Sequence, residues 1–396
     1  MSEFMSQNIG YRHTIRASYL GYVTQAIVNN LAPLLFLTFQ DVYGISMEQI
    51  TFLITLNFGI QLLVDFLSAG MVDRAGYRNA IVFAHICSAL GISGMAFFPA
   101  LCHMPYMGLS VSVILYAVGG GLIEVLLSPI VEACPTDKKE ASMSLLHSFY
   151  CWGHVIVVVC STLFFCFFGR SWWKILCLLW ALLPLCNAFY FYQVPIRSFN
   201  EEQKPVSVKR LFCEKLFWIF ALLMLCAGAS EQAMSQWASV FAESGLQVTK
   251  AVGDLTGPCM FAALMGISRI AYARFSAQVS LKHFMLGSSV LCVVSYLLAV
   301  FAPNPILGLL GCSLCGLSVG ILWPGAFSLA AGSLPRGGTA MFAFLALAGD
   351  LGCLAGPTVV GLAFAETATI QGGLLLAVLF PIALFLGVLF WNLTKF

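Results

Sequence analysis

The sequence predicts an all-α membrane protein with twelve transmembrane helices in two six-helix bundles. Three observations predict it: a composition too apolar for water, twelve apolar runs of bilayer length, and a repeat that lays one half of the chain on the other. Hydrophobic residues make up 60% of the 396 positions and charged residues 9%. With a mean hydropathy of +0.92, that balance excludes a soluble enzyme or binding domain of this length.

A spanning helix needs about 20 apolar residues. Runs of that kind begin near residues 16, 48, 79, 106, 142, 172, 214, 252, 283, 305, 339 and 370. The first run has no basic segment followed by a small-residue cleavage site, so no removable signal peptide is expected. The 15 cysteines are scattered through the apolar runs. They read as buried thiols, with no metal site and no disulfide framework.

Basic residues set the topology. Of the 19 Lys and Arg, fifteen fall on one side if the spans alternate, among them Arg12, Arg16, Arg78, Lys209 and Lys395. Arg170, Lys174 and Lys250 fall on the other side, and Arg269 lies within a span. The excess of positive charge on cytoplasmic loops then predicts that both termini are cytoplasmic, in a multi-pass protein of the cell (inner) membrane. Lipid is the expected surroundings, a monomer the expected state, and nucleic acid no partner.

The longest cytoplasmic connection carries Glu201, Glu202, Lys204, Lys209 and Arg210 and divides the spans six and six. It reads as a linker at 196–212 between bundles at 1–195 and 213–396. A shift of about 200 residues places Pro135 on Pro335, Gly153 on Gly352 and Phe39 on Phe241. The loop Ala69-x-x-x-Asp73-Arg74-x-Gly76-x-Arg78 has a faded copy in Ala273-x-x-x-Ala277-Gln278-x-Ser280-x-Lys282. Parallel repeats of six spans are the pattern of transporters whose ligand site lies near the midplane.

The Asp73-Arg74-x-Gly76-x-Arg78 loop resembles the cytoplasmic signature of the major facilitator superfamily, and the resemblance covers all twelve spans. It implies that Asp73, Arg74, Gly76 and Arg78 form a latch that holds one orientation of the bundles. It also implies that the first and fourth spans of each half line the cavity.

Carboxylates and other polar groups at bilayer depth are costly, so they pair, carry protons or face a polar cavity. Glu124 stands inside the apolar fourth run, and Asp65, Glu231, Arg269 and Asp350 are equally deep. The repeat lays Glu231-Gln232 on Asn29-Asn30. Asn29, Asn30, Glu124, Glu231 and Gln232 are therefore expected to converge, with Gln236 beside them. Asp65 falls on Arg269 by the same shift. Arg269 is the fixed positive charge available to a deep acid, and its expected partner is Glu124 or Glu231.

Trp152, Trp237 and Trp323 lie at similar depths, near His147, Tyr150 and His154 of the fifth run. A flat ring beside amides and carboxylates suits the C–H face and hydroxyls of a sugar. Asn29-Asn30-Leu31, Gly121-Leu-Ile-Glu124 with Pro129, and Ser144-Leu-Leu-His147-Ser148-Phe149-Tyr150 resemble the fucose:proton symporter branch of the same superfamily. That resemblance implies Glu124 as the proton-coupling acid and Asn30 as a sugar-contacting amide. The branch carries a second acid three residues after its Asn-Asn pair, where this chain has Pro33. That role passes to Asp65, Glu231 or Asp350.

No nucleotide-binding loop is present, so transport is expected to be driven by gradients, without a cofactor. The function expected is uptake of a small polar solute, most simply a sugar, with a proton or sodium ion. A proton-driven exporter of amphipathic compounds and a solute sensor that does not transport are the rival readings.

Overall fold

The computed structural model describes residues 10–135, 139–196, 208–275, 279–334 and 338–393. Within them it describes all side chains but those of 68–75, 139–144, 208–210, 273–275, 338–340 and 392–393. Among the described residues, twelve helical stretches are long and apolar enough to cross a membrane. Spans one to six are Tyr11–Tyr43, Met47–Leu67, Tyr77–Leu101, Pro105–Glu132, Leu145–Phe168 and Arg170–Gln193. Spans seven to twelve are Lys215–Gly245, Lys250–Tyr272, Leu281–Phe301, Pro305–Ser333, Met341–Thr367 and Ile370–Trp391. An all-helical answer follows from the solvent: in hydrocarbon each backbone N–H and C=O must be satisfied within its own segment.

By packing, the chain falls into two compact units, Met1–Ile45 with Leu56–Glu201 and Ser46–Thr55 with Glu202–Phe396. The division expected from the linker differs in one segment, the start of span two. Thr55 Oγ1 lies 2.7 Å from Thr358 Oγ1, and Thr51 packs on the bare backbone of Gly361. Residues 197–207, most of the expected linker, lie outside the described residues.

In the first unit, helix Tyr11–Asn30 passes into a tight turn at Ala32–Leu35 before Phe36–Tyr43 completes span one. Pro33 causes the change, because it has no N–H to donate and its ring crowds the preceding turn. Spans three and four lie close together through glycine. A Cβ at Gly91 would enter the backbone of Tyr116, and one at Gly119 would meet Ser88. Ile123, Leu126, Leu127 and Ile130 of span four fill the core with Ala17, Ala84 and Phe191.

In the second unit, spans seven and eight each contain a widened turn, at Phe241–Gly245 and Leu255–Cys259. Pro258 lies in the second and removes a ladder hydrogen bond. Such turns change the direction of side chains within a helix. Span ten breaks at Gly320 and Ile321, between helices Pro305–Val319 and Leu322–Ser333.

Candidate solute and coupling site

Each unit encloses polar side chains. In the first, five of them form a connected network on spans one, two and four. Gln25 Nε2 donates to Glu124 Oε2 at 3.1 Å and to Gln61 Oε1 at 2.9 Å. Gln61 Nε2 donates to Asn29 Oδ1 and to Asn57 Oδ1, each at 2.9 Å. Asn57 Nδ2 donates to Asn29 Oδ1 at 3.4 Å. The four amides are buried, and Glu124 is half-buried at the end of the network.

Helical spacing explains the assembly. Gln25 and Asn29 are four residues apart on span one, and Asn57 and Gln61 four apart on span two, so each pair shares a helix face. Gly120 leaves room between them: a Cβ there would lie 3.1 Å from Gln25 Oε1 and 3.3 Å from Gln61 Oε1. Asp65, half-buried, continues the stripe one turn beyond Gln61. Asn30 turns back on its own helix, donating to the Ala26 carbonyl at 2.9 Å.

In the second unit, three adjacent polar groups line up on span seven. Gln236 Nε2 donates to Gln232 Oε1 at 3.1 Å, and Gln232 Nε2 donates to Glu231 Oε1 at 3.3 Å. The charge of Arg269 on span eight acts on the Glu231 carboxylate. Arg269 Nε also donates at 3.1 Å to the carbonyl of Gly320, which the break in span ten frees. Asp350 is half-buried on span eleven.

Two of the expected ligand-stacking rings are placed for other work. Trp237 has no exposed surface. Its Nε1 donates to the Pro357 carbonyl at 2.9 Å, its ring meets Phe364 edge-on, and Gly361 presses on it. No face is left to receive a sugar, so Trp237 is core. Trp152 is 41% exposed and shares one face of span five with the exposed Leu145, Ile156 and Leu163. An apolar stripe of that width faces lipid.

Trp323 is half-buried, lies against Gly349 and Gly228, and meets Phe327 at a ring distance of 6.2 Å. His147 is exposed and meets the Tyr22 ring, Tyr150 is half-buried against the span-four core, and His154 is buried. Gly76 sits at φ +78° between spans two and three, a left-handed position open to glycine. Of the expected latch, the side chains of Asp73 and Arg74 lie outside the described residues. Arg78 donates to the carbonyls of Phe191 and Tyr192 at the end of span six.

Sequence reasoning passed over Gln25, Asn57 and Gln61. The signal was present as amides at four-residue spacing inside apolar runs. Lys250 opens span eight, with Nζ 2.9 Å from Asp254 Oδ2, and Asp254 accepts a hydrogen bond from Ser239 Oγ.

Twelve apolar spans define a multi-pass membrane protein. The sequence model of the Major Facilitator Superfamily matches residues 18–357, and the chain belongs to that family. Among solved structures, the chain is similar in fold to a variant of the E. coli fucose:proton symporter FucP. Identity is 18% and the TM-score 0.64, over 95% of this chain and 98% of that one. FucP in the outward conformation gives 17% identity and a TM-score of 0.64 over the same shares. A bacterial homologue of the human lysosomal transporter Spinster, inward-facing and occupied, gives 12% identity and a TM-score of 0.74 over 97% of both chains. No curated protein matches this chain in sequence.

Proposed function

We propose that this transporter carries a small polar solute, most simply a sugar, across the cell membrane by alternating access, as a monomer coupled to a proton. The observation that carries the reading is the bonded series Glu124, Gln25, Gln61, Asn29 and Asn57. Buried amides offer donors and acceptors in the arrangement that hydroxyl groups satisfy, and a site built to bond hydroxyls rejects analogues that lack them. An amphipathic export substrate has little to gain from so many amides. The similarity in fold to a fucose:proton symporter agrees with this reading.

Glu124 is the proposed coupling acid. The N–H of Gln25 donates to it, and such a donor favours the carboxylate over the protonated acid. Glu231, on which the charge of Arg269 acts, is proposed as a second acid that takes up a proton. Asn29 in the first unit and Gln232 and Gln236 in the second are the proposed solute contacts, and Asn30, Tyr150, His147 and Trp323 are further candidates within their own units. Asp65 and Asp350 stand as further acids.

Purified protein in liposomes tests the reading with labelled L-fucose first and a sugar panel after it. Uptake driven by an inward proton gradient, with counterflow retained and gradient-driven uptake lost in Glu124→Gln, is expected. Uptake that follows a sodium gradient would replace the proton. Extrusion of amphipathic dyes without sugar counterflow would replace the whole reading, and binding without counterflow would make the protein a sensor.

A further inference from the structure

Positive charge is left uncovered at one end of the first unit. Arg12, Arg16 and Leu20 stand at four-residue spacing on the helix Tyr11–Asn30, so they share one face, and all three are exposed. Neither arginine forms an ion pair with a carboxylate among the described residues.

Span six is held against one flank of this face and span five against the other. On the first flank His13 Nδ1 lies 2.8 Å from Tyr190 Oη, and Asn187 Nδ2 donates to the Ala17 carbonyl at 3.1 Å. On the second, Tyr19 stacks on Phe149 with the ring centroids 4.5 Å apart, and Tyr22 meets the His147 ring. The strip between the flanks is a cleft floored by Arg12, Arg16 and Leu20, and Phe189 and Leu185 of span six are exposed beside it.

Spans five and six meet deeper in the unit, where Trp180 Nε1 donates to Ser161 Oγ at 3.0 Å. From Tyr190 to Trp180 the helix Trp173–Gln193 advances about 15 Å, which is about half the thickness of the hydrocarbon core. The cleft is thus cationic at its mouth, apolar below, and one leaflet deep. The charge of Arg16 also acts on the Tyr190 phenol, a group that can donate or accept beside it.

We propose that this cleft seats one anionic phospholipid of the surrounding bilayer, its phosphate between Arg12 and Arg16 and an acyl chain over Leu20 beside Phe189 and Leu185. A guanidinium presents paired N–H groups that match phosphate oxygens. A zwitterionic head would bring an ammonium to two guanidiniums, and like charges repel. An anionic head brings no such charge. The seated lipid joins spans one and six, and it does so whatever solute the protein carries.

Thermal unfolding of the full chain in detergent tests this, with phosphatidylglycerol, phosphatidylcholine of the same acyl chains, and inorganic phosphate as separate additions. A ligand of the folded state raises the midpoint by mass action. Phosphatidylglycerol should raise it and the other two should not. Arg12→Gln and Arg16→Gln should each call for about fivefold more phosphatidylglycerol to reach the same rise, the weight of one basic residue at an anionic lipid surface. Lys215→Gln removes the same charge from the exposed start of span seven, and it should leave the response unchanged. Leu20→Trp fills the floor with both arginines in place, and it should weaken the response.

An equal rise with phosphatidylcholine overturns the proposal, because the anion is then not read. An equal rise with inorganic phosphate overturns it too, since a free-anion site needs no acyl chain. A loss in Lys215→Gln as large as in Arg16→Gln reduces the effect to general surface charge, and an unchanged response in Leu20→Trp removes the lipid from the cleft. The three additions to the wild-type chain can sink the proposal by themselves, whether or not a variant folds.

Discussion

Arg78 donates from its guanidinium to the Tyr192 carbonyl, and reaches the Phe191 carbonyl at 3.3 Å. Both carbonyls stand in the last turn of the helix Trp173–Gln193, where four carbonyls lack helical partners and the macrodipole presents negative charge. Beside it, His13 Nδ1 lies 2.8 Å from Tyr190 Oη, and Thr14 Oγ1 donates to the Pro195 carbonyl at 2.6 Å. Arg78 thus ties span three to the end of span six, and His13 and Thr14 tie span one to the same end.

Arg78→Gln is expected to lower the thermal unfolding midpoint in detergent, by about 1 kcal/mol for a partly exposed charge-assisted cap. Arg78→Lys should lose part of this, because an ammonium cannot grip two carbonyls as a fork does. An unchanged midpoint in both variants would return Arg78 to a purely conformational role.

The spans were legible because hydrocarbon imposes a length and an apolar run on each of them. Glu124 and Glu231 stand out in the sequence as candidates because a carboxylate in such a run is rare. The amides that serve Glu124 were harder to see: Gln25, Asn57 and Gln61 are uncharged, and only their four-residue spacing sets them apart. The tryptophans misled for a physical reason. A large ring at bilayer depth can fill a core, as Trp237 does, or face lipid, as Trp152 does. Sequence depth alone does not record which helix face it occupies.

Gly349 marks a close approach that no other residue allows. A Cβ there would enter the van der Waals sphere of Trp323 Cη2, and one at Gly228 would come within 3.1 Å of Trp323 Cζ3. Gly349→Ala is expected to destabilise by roughly 1–3 kcal/mol through overpacking. Trp323→Phe in the same chain should recover much of the loss, so a double-mutant cycle of unfolding midpoints should be far from additive. Additive effects would remove the contact as the cause.

Trp237→Phe separates core from ligand contact. It keeps an aromatic ring but leaves the Pro357 carbonyl without its indole donor, which should cost about 1 kcal/mol or more of stability. Solute affinity, in whichever sugar the counterflow assay selects, should change less than threefold. A large loss of affinity at unchanged stability would restore Trp237 as a stacking residue.

Lys250 and Asp254 form an enclosed ion pair, with side chains 10% and 1% exposed and 2.9 Å between Nζ and Oδ2. Glu243 Oε2 lies 4.0 Å from the same ammonium, so one lysine faces two acids. Removing it takes the counter-charge from the buried Asp254 carboxylate. Lys250→Met is expected to destabilise by roughly 3–5 kcal/mol, the usual cost of breaking a buried pair from one side. Asp254→Asn added to Lys250→Met should return most of that stability, because the neutral amide can still accept from Ser239 without needing a counter-charge. The measurement is again the unfolding midpoint. If the double variant is no more stable than Lys250→Met alone, the lysine acts through its packing stem and not through its charge.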